Sequence, residues 1–206
     1  LFGAVNTVKP GKKLKGYNTD CYGFLRAIKM ADIDLSGNVL LCGSGGVARM
    51  FAFEAALAGC SLTIAVRDND IPSANILAEE IKNKLNKNAK VLNLKEVNES
   101  YNLIINGTPV GMHPNINACI LPKEIIQKAD AVFDAIYNPE ETLFVKYAKE
   151  AGIKYSNGLS MLVWQAAVAE EIWNDIKFTE KDIQKVIEIT KKELEILWTL
   201  LGSRGK

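Results

Sequence analysis

The chain has 206 residues, 48% of them hydrophobic and 24% charged, and a formal net charge of +1. That is one or two domains with ample core, and the near-neutral balance removes any reason to invoke nucleic acid or an anionic membrane surface as a partner. No apolar run approaches a membrane span and no signal-peptide pattern is present. The chain opens on Leu1 and not on Met, so the native N-terminus, with any targeting segment on it, is expected to lie upstream. Cys21, Cys42, Cys60 and Cys119 have no metal-ligand spacing; no metal, free thiols and a reducing, cytoplasmic compartment are the simplest expectation.

In chain order, Ala4 to Val8 and Leu14 to Tyr17 read as a hairpin around Pro10-Gly11, Pro suiting the first turn corner and Gly the second. Asp20 to Met30 carries apolar residues at helical spacing, with Asp20 placed as an N-cap ahead of Cys21. Asn38 to Cys42 is an apolar strand run, followed by Gly43-Ser44-Gly45-Gly46-Val47-Ala48 and a helix opening at Val47. Strand, glycine-rich turn and helix make the layout of a dinucleotide-binding βαβ unit. Gly43 permits the turn, Gly45 lets backbone approach a pyrophosphate, and Ala48 allows close helix–strand packing. The free N–H groups and the helix dipole would face the phosphates. An ordinary tight turn has the same glycines.

Leu62 to Val66 is the next strand, ending in Arg67-Asp68. An acid there favours the free 2′-hydroxyl of NAD and an arginine the 2′-phosphate of NADP; this chain offers both, with Asp68 more simply a solvated strand-end charge. Ala74 to Leu85 reads as a helix, Asn102 to Ile105 as a short buried strand, Lys123 to Lys128 as a short helix and Ala131 to Ile136 as a strand. Thr142 to Ala151 is a helix stopped by Gly152, and Ile153 to Tyr155 a last strand. Met161 to Asp175 and Glu180 to Leu201 close the chain as helices, the second opened by a Thr179–Asp182 capping pattern. The alternation predicts an α/β fold of Rossmann type: a doubly wound parallel sheet with helices on both faces. The hairpin and the last helices are expected to belong to another domain or its remnant.

Six motifs, in this order and spacing, carry a resemblance. They are Gly3-Ala4-Val5-Asn6-Thr7; Gly16-Tyr17-Asn18-Thr19-Asp20 with Gly23-Phe24; the glycine turn; Asn106-Gly107-Thr108-Pro109-Val110-Gly111-Met112; Tyr137-Asn138-Pro139; and Gly158-Leu159-Ser160-Met161-Leu162 running to Gln165-Ala166. Over nearly its whole length the chain resembles the shikimate dehydrogenases and their quinate/shikimate relatives. The resemblance implies NADPH-dependent, reversible reduction of 3-dehydroshikimate to shikimate in aromatic amino-acid biosynthesis. It implies a remnant substrate domain over 1–20, an NADP-binding Rossmann domain over 21–160, and helices over 161–206 that return to the substrate domain. A small-molecule substrate, no nucleic acid or membrane partner, and a monomer or homodimer follow from it.

By the same resemblance Asp20 is the catalytic carboxylate. Asn6, Tyr137 and Gln165 join it in holding substrate, a carboxamide suiting a polyol because it donates and accepts. Gly43, Ser44, Gly45, Gly46, Val47, Arg67, Thr108, Pro109, Val110, Gly158 and Met161 would line the cofactor, NADP by Arg67, with NAD left open by Asp68. Read bare, Met161 is a core residue, Asn6 a strand-end asparagine and Tyr137 an aromatic packed on Pro139. The family pairs its aspartate with a lysine upstream of this segment, and Lys9, Lys12, Lys13 and Lys15 do not sit in the matching motif. The expectation is a chain lacking most of its substrate domain and incomplete for catalysis. Ser160 stands in place of a usual glycine and Gly107 in place of a common alanine; His113, the sole histidine, reads as a surface loop residue. A quinate/shikimate dehydrogenase using NAD, a nucleotide-binding regulator that lost its chemistry, and another nicotinamide enzyme on the same fold are the competing readings. Asp20, Asn6 and Gln165 together speak against the regulator, and the Asn18-Thr19-Asp20 and Met161-Leu162 to Gln165 motifs do not point to the other enzyme.

Overall fold

The computed structural model describes residues 2–202. Its centre is a six-stranded, all-parallel sheet: β3 (Asn38–Cys42), β4 (Ser61–Val66), β5 (Ala89–Asn93), β6 (Leu103–Asn106), β7 (Ala131–Asp134) and β8 (Lys154–Ser156), in spatial order β5-β4-β3-β6-β7-β8. The chain winds outward from β3 to one edge, returns, and winds outward from β6 to the other. This is the expected doubly wound sheet, with its reversal point between β3 and β6.

Successive strand residues point to opposite faces, and here both faces are covered. Val39, Leu41, Ile64, Val66, Leu103, Ile105 and Phe133 join one core with helices α1 (Thr19–Met30), α2 (Gly46–Leu57), α3 (Ile71–Leu85) and α6 (Gly158–Asn174). Leu40, Cys42, Ala65, Ile104 and Val132 join a smaller core with α4 (Lys123–Ile126) and α5 (Leu143–Glu150). Such two-sided burial explains the near-continuous apolar runs that mark these strands. β5 escapes the same criterion. It is an edge strand of sequence Ala-Lys-Val-Leu-Asn, only half-buried, with no apolar run to betray it.

The hairpin forms from β1 (Thr7–Lys9) and β2 (Lys15–Tyr17), pairing Thr7 with Tyr17 across an antiparallel ladder. It is anchored to α6 through Trp173 Nε1, which donates to the Val8 carbonyl at 3.0 Å. Helix α7 (Glu180–Gly202) opens on the expected capping box: Asp182 N donates to Thr179 Oγ1, and Thr179 N to Asp182 Oδ2, each at 3.2 Å.

Two helix starts correct the sequence reading. Asp20 is not the N-cap of α1. Asn18 is, its side-chain oxygen accepting from Asp20 N at 3.1 Å, which leaves the Asp20 carboxylate free of capping duty. Helix α6 likewise begins at Gly158 behind an Asn157 cap, three residues before the expected Met161. The boundaries expected after 20 and after 160 therefore both fall inside helices, and those two helices pack on each other.

That packing is close. A Cβ on Gly23 of α1 would lie 2.7 Å from the Met161 carbonyl oxygen and 3.0 Å from the Gln165 Cβ on α6. The same pair of helices is clamped by Arg26, whose two terminal nitrogens reach Glu171 Oε1 and Oε2 at 3.1 and 3.0 Å. Lys177 Nζ and Phe178 N complete the shell around Glu171, at 3.0 and 3.1 Å. Burial alone would push the Glu171 carboxyl up; Arg26, Lys177 and the Phe178 N–H outweigh it and hold the value at about 2. Gly23→Ala is expected to wedge α1 from α6 and to cost about 1–3 kcal/mol in urea unfolding, as overpacking does. Unchanged stability would show that the two helices yield freely.

Candidate functional site

The carboxyl ends of β3, β4 and β6 open into a cleft of about 460 Å³. Gly43 follows β3 with φ +108°, and a Cβ there would sit 2.8 Å from Thr108 Cγ2, so turn and close approach both demand glycine. Gly45, the N-cap of α2, has open space where its Cβ would be. The cleft side of this turn is therefore bare backbone at the positive end of a twelve-residue helix. Gly107 is tighter: a Cβ would lie 2.9 Å from the Ala48 Cβ. The glycine that replaces a common alanine is thus matched to Ala48, the small residue expected to let helix and strand approach.

Gly43, Ser44, Gly45, Arg67, Thr108, Pro109 and Val110 all line this cleft, and Asp70, Ser73 and Leu94 join them. Arg67 Nε donates to Asp70 Oδ2 at 2.9 Å, and Ser44 Oγ and Ser73 Oγ lie 2.7 Å apart. Asp68 is turned away: its carboxylate is held by Asn93 Nδ2 and, at 3.1 Å, by Lys95 Nζ. Val47 and Thr108 continue into an adjoining cleft of about 370 Å³ that also takes in Met112, His113 and the half-exposed Tyr137. Gly46 is the first residue of α2. Gly158 and Met161 line neither cleft. A Cβ on Gly158 would collide with the Ala135 carbonyl, and Met161 is buried in the α1–α6 contact.

A buried polar knot shapes the loop between the two clefts. Asn106, ending β6, accepts from Thr108 N at 3.1 Å and Thr108 Oγ1 at 2.7 Å. Its amide donates to the Val110 carbonyl at 3.3 Å and to Asp134 Oδ1 at 3.0 Å. Asp134, ending β7, also accepts from Ile136 N at 3.1 Å and Thr142 Oγ1 at 2.5 Å. Asn106 and Asp134 are fully inaccessible. Burial pushes the Asp134 carboxyl up to about 6, against the opposing pull of Thr142, Ile136 N–H and Asn106. Sequence reasoning passed over Asp134; its only signal is an acid closing an otherwise apolar strand.

A second polar cluster forms where the hairpin meets α1 and α6. Asn6 Oδ1 accepts from Thr19 N at 2.8 Å and Thr19 Oγ1 at 3.2 Å, while the Asn6 side chain also hydrogen-bonds Asp20. Thr19 Oγ1 in turn lies 3.4 Å from Gln165 Oε1. Asn6, Asp20 and Gln165, distant in sequence, are so brought together around Thr19, which sequence reasoning did not select. Desolvation raises the Asp20 carboxyl and the Asn6 bond opposes it. Of the hairpin lysines, Lys9 pairs with Asp175 at 2.5 Å and Lys15 lies over the Tyr17 ring. Cys21 and Cys42 are buried free thiols, and Cys60 and Cys119 are half-buried free thiols. No helix among the described residues is long and apolar enough to cross a membrane.

No protein-family model matches the chain. It is 39% identical over 200 residues to the shikimate dehydrogenase (NADP(+)) of Clostridium perfringens (strain ATCC 13124), covering 90% of this chain and 69% of that protein. The chain belongs to the shikimate dehydrogenase family. It is 40% identical over 185 residues to the Caldanaerobacter subterraneus subsp. tengcongensis member, spanning 87% of this chain but only 65% of that protein's length. The solved shikimate 5-dehydrogenase of Thermus thermophilus, in complex with NADP(H) and shikimate, superposes with a TM-score of 0.78 at 34% identity, covering 91% of this chain and 68% of that one.

Asp134 makes a pH prediction. Its folded value lies above the ordinary carboxylate value, so its contribution to stability is complete below about pH 4 and is lost as pH rises through about 6. Denaturant unfolding should show the native chain weakening over that window. Asp134→Asn, whose amide can donate to Thr142 Oγ1, should flatten the profile. Asp134→Ala should cost about 3 kcal/mol or more at every pH by stranding its buried partners. Identical profiles for native and Asp134→Asn would contradict the assignment.

Proposed function

We propose that the chain is the dinucleotide-binding part, with the adjoining substrate-facing edge, of an NADP-dependent shikimate dehydrogenase that interconverts shikimate and 3-dehydroshikimate. The observation that carries this reading is the pairing in one cleft of the bare Gly43–Gly45 backbone with Arg67, while Asp68 is turned out to Asn93 and Lys95. The cradle fits the group: no side chain fills the space over Gly45, and α2 presents the N–H groups of its first turn to it. NADP, when bound, supplies the hydride acceptor of the oxidation. The α2 N-terminus would hold the pyrophosphate and Arg67 the 2′-phosphate, and the Thr108–Val110 loop would form the wall between the clefts.

The residues around Thr19 supply the substrate side. Oxidising a ring hydroxyl to a ketone releases a proton from oxygen as the hydride leaves carbon. In this reading Asp20, half-buried beside Asn6, accepts a hydrogen bond from that hydroxyl and supplies the carboxylate half of a proton-shuttling pair. The other half, the group that takes the proton, would be the upstream lysine that the resemblance implies. Its raised pKa reflects a site already partly stripped of water, where such a bond is strengthened. Gln165 reaches the same cluster from α6 and adds a second carboxamide suited to a polyol. We further propose that the hairpin and the α1–α6 pair form the substrate-facing part of the fold and the sheet the cofactor-facing part.

Calorimetry with NADP and NAD tests the cofactor half. A guanidinium–phosphate pair contributes about 1.5–3 kcal/mol, on the order of tenfold to a hundredfold, so NADP should bind more tightly than NAD and Arg67→Ala should erase the difference. Gly45→Val should abolish binding of both, its Cβ entering the open space over the turn, at a cost of about 1 kcal/mol in stability for the poorer N-cap residue. Tighter binding of NAD by the native chain, or undiminished binding by Gly45→Val, would overturn the reading. For the substrate half, Asp20→Asn should lower kcat for NADPH formation from shikimate by about a hundredfold to ten-thousandfold in a protein that carries this chain and turns shikimate over. An unchanged kcat would remove Asp20 from the chemistry.

A further inference from the structure

We propose that Asp70 is a specificity-determining residue of this cleft: its carboxylate, paired with Arg67, weakens the selection for a 2′-phosphorylated adenosine over an unphosphorylated one. The inference rests on the reading that the cleft takes an adenine dinucleotide, and adds which residue tunes the choice.

The acid that matters is not the one adjacent to Arg67 in sequence. Asp68 is committed outward to Asn93 and Lys95 and does not line the cleft. Asp70, three residues on, does line it, and places Oδ2 2.9 Å from Arg67 Nε. Although Asp70 is the N-cap residue of α3, its side chain makes no capping hydrogen bond. The carboxylate is therefore given to the guanidinium and not to the helix.

Its position is maintained by the wall it belongs to. Ser73 Oγ donates to the Asp70 carbonyl at 2.8 Å, and since its one proton is spent there, the 2.7 Å contact with Ser44 has Ser44 as donor. A continuous set of hydrogen bonds thus runs from the glycine turn through Ser73 to Asp70 and Arg67. A phosphate that engages the terminal nitrogens of Arg67 comes within a guanidinium's width of the Asp70 carboxylate. Like charges at that separation repel, and a dianionic phosphate feels it doubly, even with the screening expected for side chains as exposed as these. A ribose bearing a free 2′-hydroxyl meets no such penalty.

Asp70→Asn removes the charge while leaving an equally good N-cap residue, so the fold of α3 is preserved; Asp70→Ser gives a second variant with the same property. Calorimetry on the full chain with adenosine 2′,5′-bisphosphate and with 5′-ADP reads the two arms separately. Both variants should bind the 2′-phosphorylated probe about tenfold more tightly than the native chain, with 5′-ADP affinity unchanged and with the gain shrinking as salt is raised. A structural role for Asp70 would move both probes together, and equal or weaker binding of the 2′,5′-bisphosphate by the variants overturns the inference while leaving the cleft intact. If the native chain binds neither probe, nor NADP, the cleft reading falls and the inference with it.

Discussion

The buried carboxylate of Asp134 is the constraint on which the loop between the two clefts depends. It joins three segments: the end of β6 through Asn106, the residues after β7 through Ile136 N, and the N-cap of α5 through Thr142. Asn106 passes the constraint on to Thr108 and Val110, so one carboxylate dictates the path of the loop that separates the two clefts. A carboxylate with no solvent access is costly unless every oxygen is used. Here one oxygen takes two donors and the other the Thr142 hydroxyl, and that same threonine caps α5 by accepting from Val145 N. Apolar packing alone would hold these strands together but would leave the loop's register unspecified.

A second polar system performs the corresponding task where the hairpin meets α1 and α6. Arg26 and Glu171 clamp α1 to α6 at one end of their contact, and Gly23 allows the backbones to close at the other. That approach brings Gln165 to Thr19, and Asn6 from the hairpin completes the group. The hydrogen bonds of Asn6 go to two adjacent residues of one helix turn, so the hairpin's position fixes the surroundings of Asp20. Sheet and hairpin edge then meet through α1 and α6, which pack on the sheet's larger core and carry Asp20 and Gln165.

Much of this was legible in the residues. The alternation of apolar runs with helical stretches gave the parallel sheet, because strands buried on both faces have no choice but to be apolar. The glycine turn was legible because Gly43 needs a positive φ and a close approach to Thr108, demands that few other residues can meet. What stayed hidden follows equally from physics. β5 is half-exposed and carries Lys90, so neither periodicity nor composition marks it. The starts of α1 and α6 are set by the asparagine caps Asn18 and Asn157, whose capping bonds depend on local backbone turns that apolar spacing does not mark. Gly158 came with a cofactor motif and also packs directly on the Ala135 carbonyl, a contact that only the fold reveals. Asp134, Thr19 and Asp70 act through partners distant in sequence or through a turn whose direction only the fold determines.

In the proposed complex the dinucleotide lies across the β3–β4–β6 ends, between the glycine turn and the loop held by Asn106 and Asp134. Amide chemical shifts of the isotope-labelled chain, followed by NMR as NADP is added, test it most directly. The largest changes should fall on Ser44 to Val47, on Arg67 and on Thr108 to Val110, with the β1–β2 hairpin and the start of α7 undisturbed. Shifts concentrated in the hairpin, with the amides of Ser44 to Val47 silent, would contradict it.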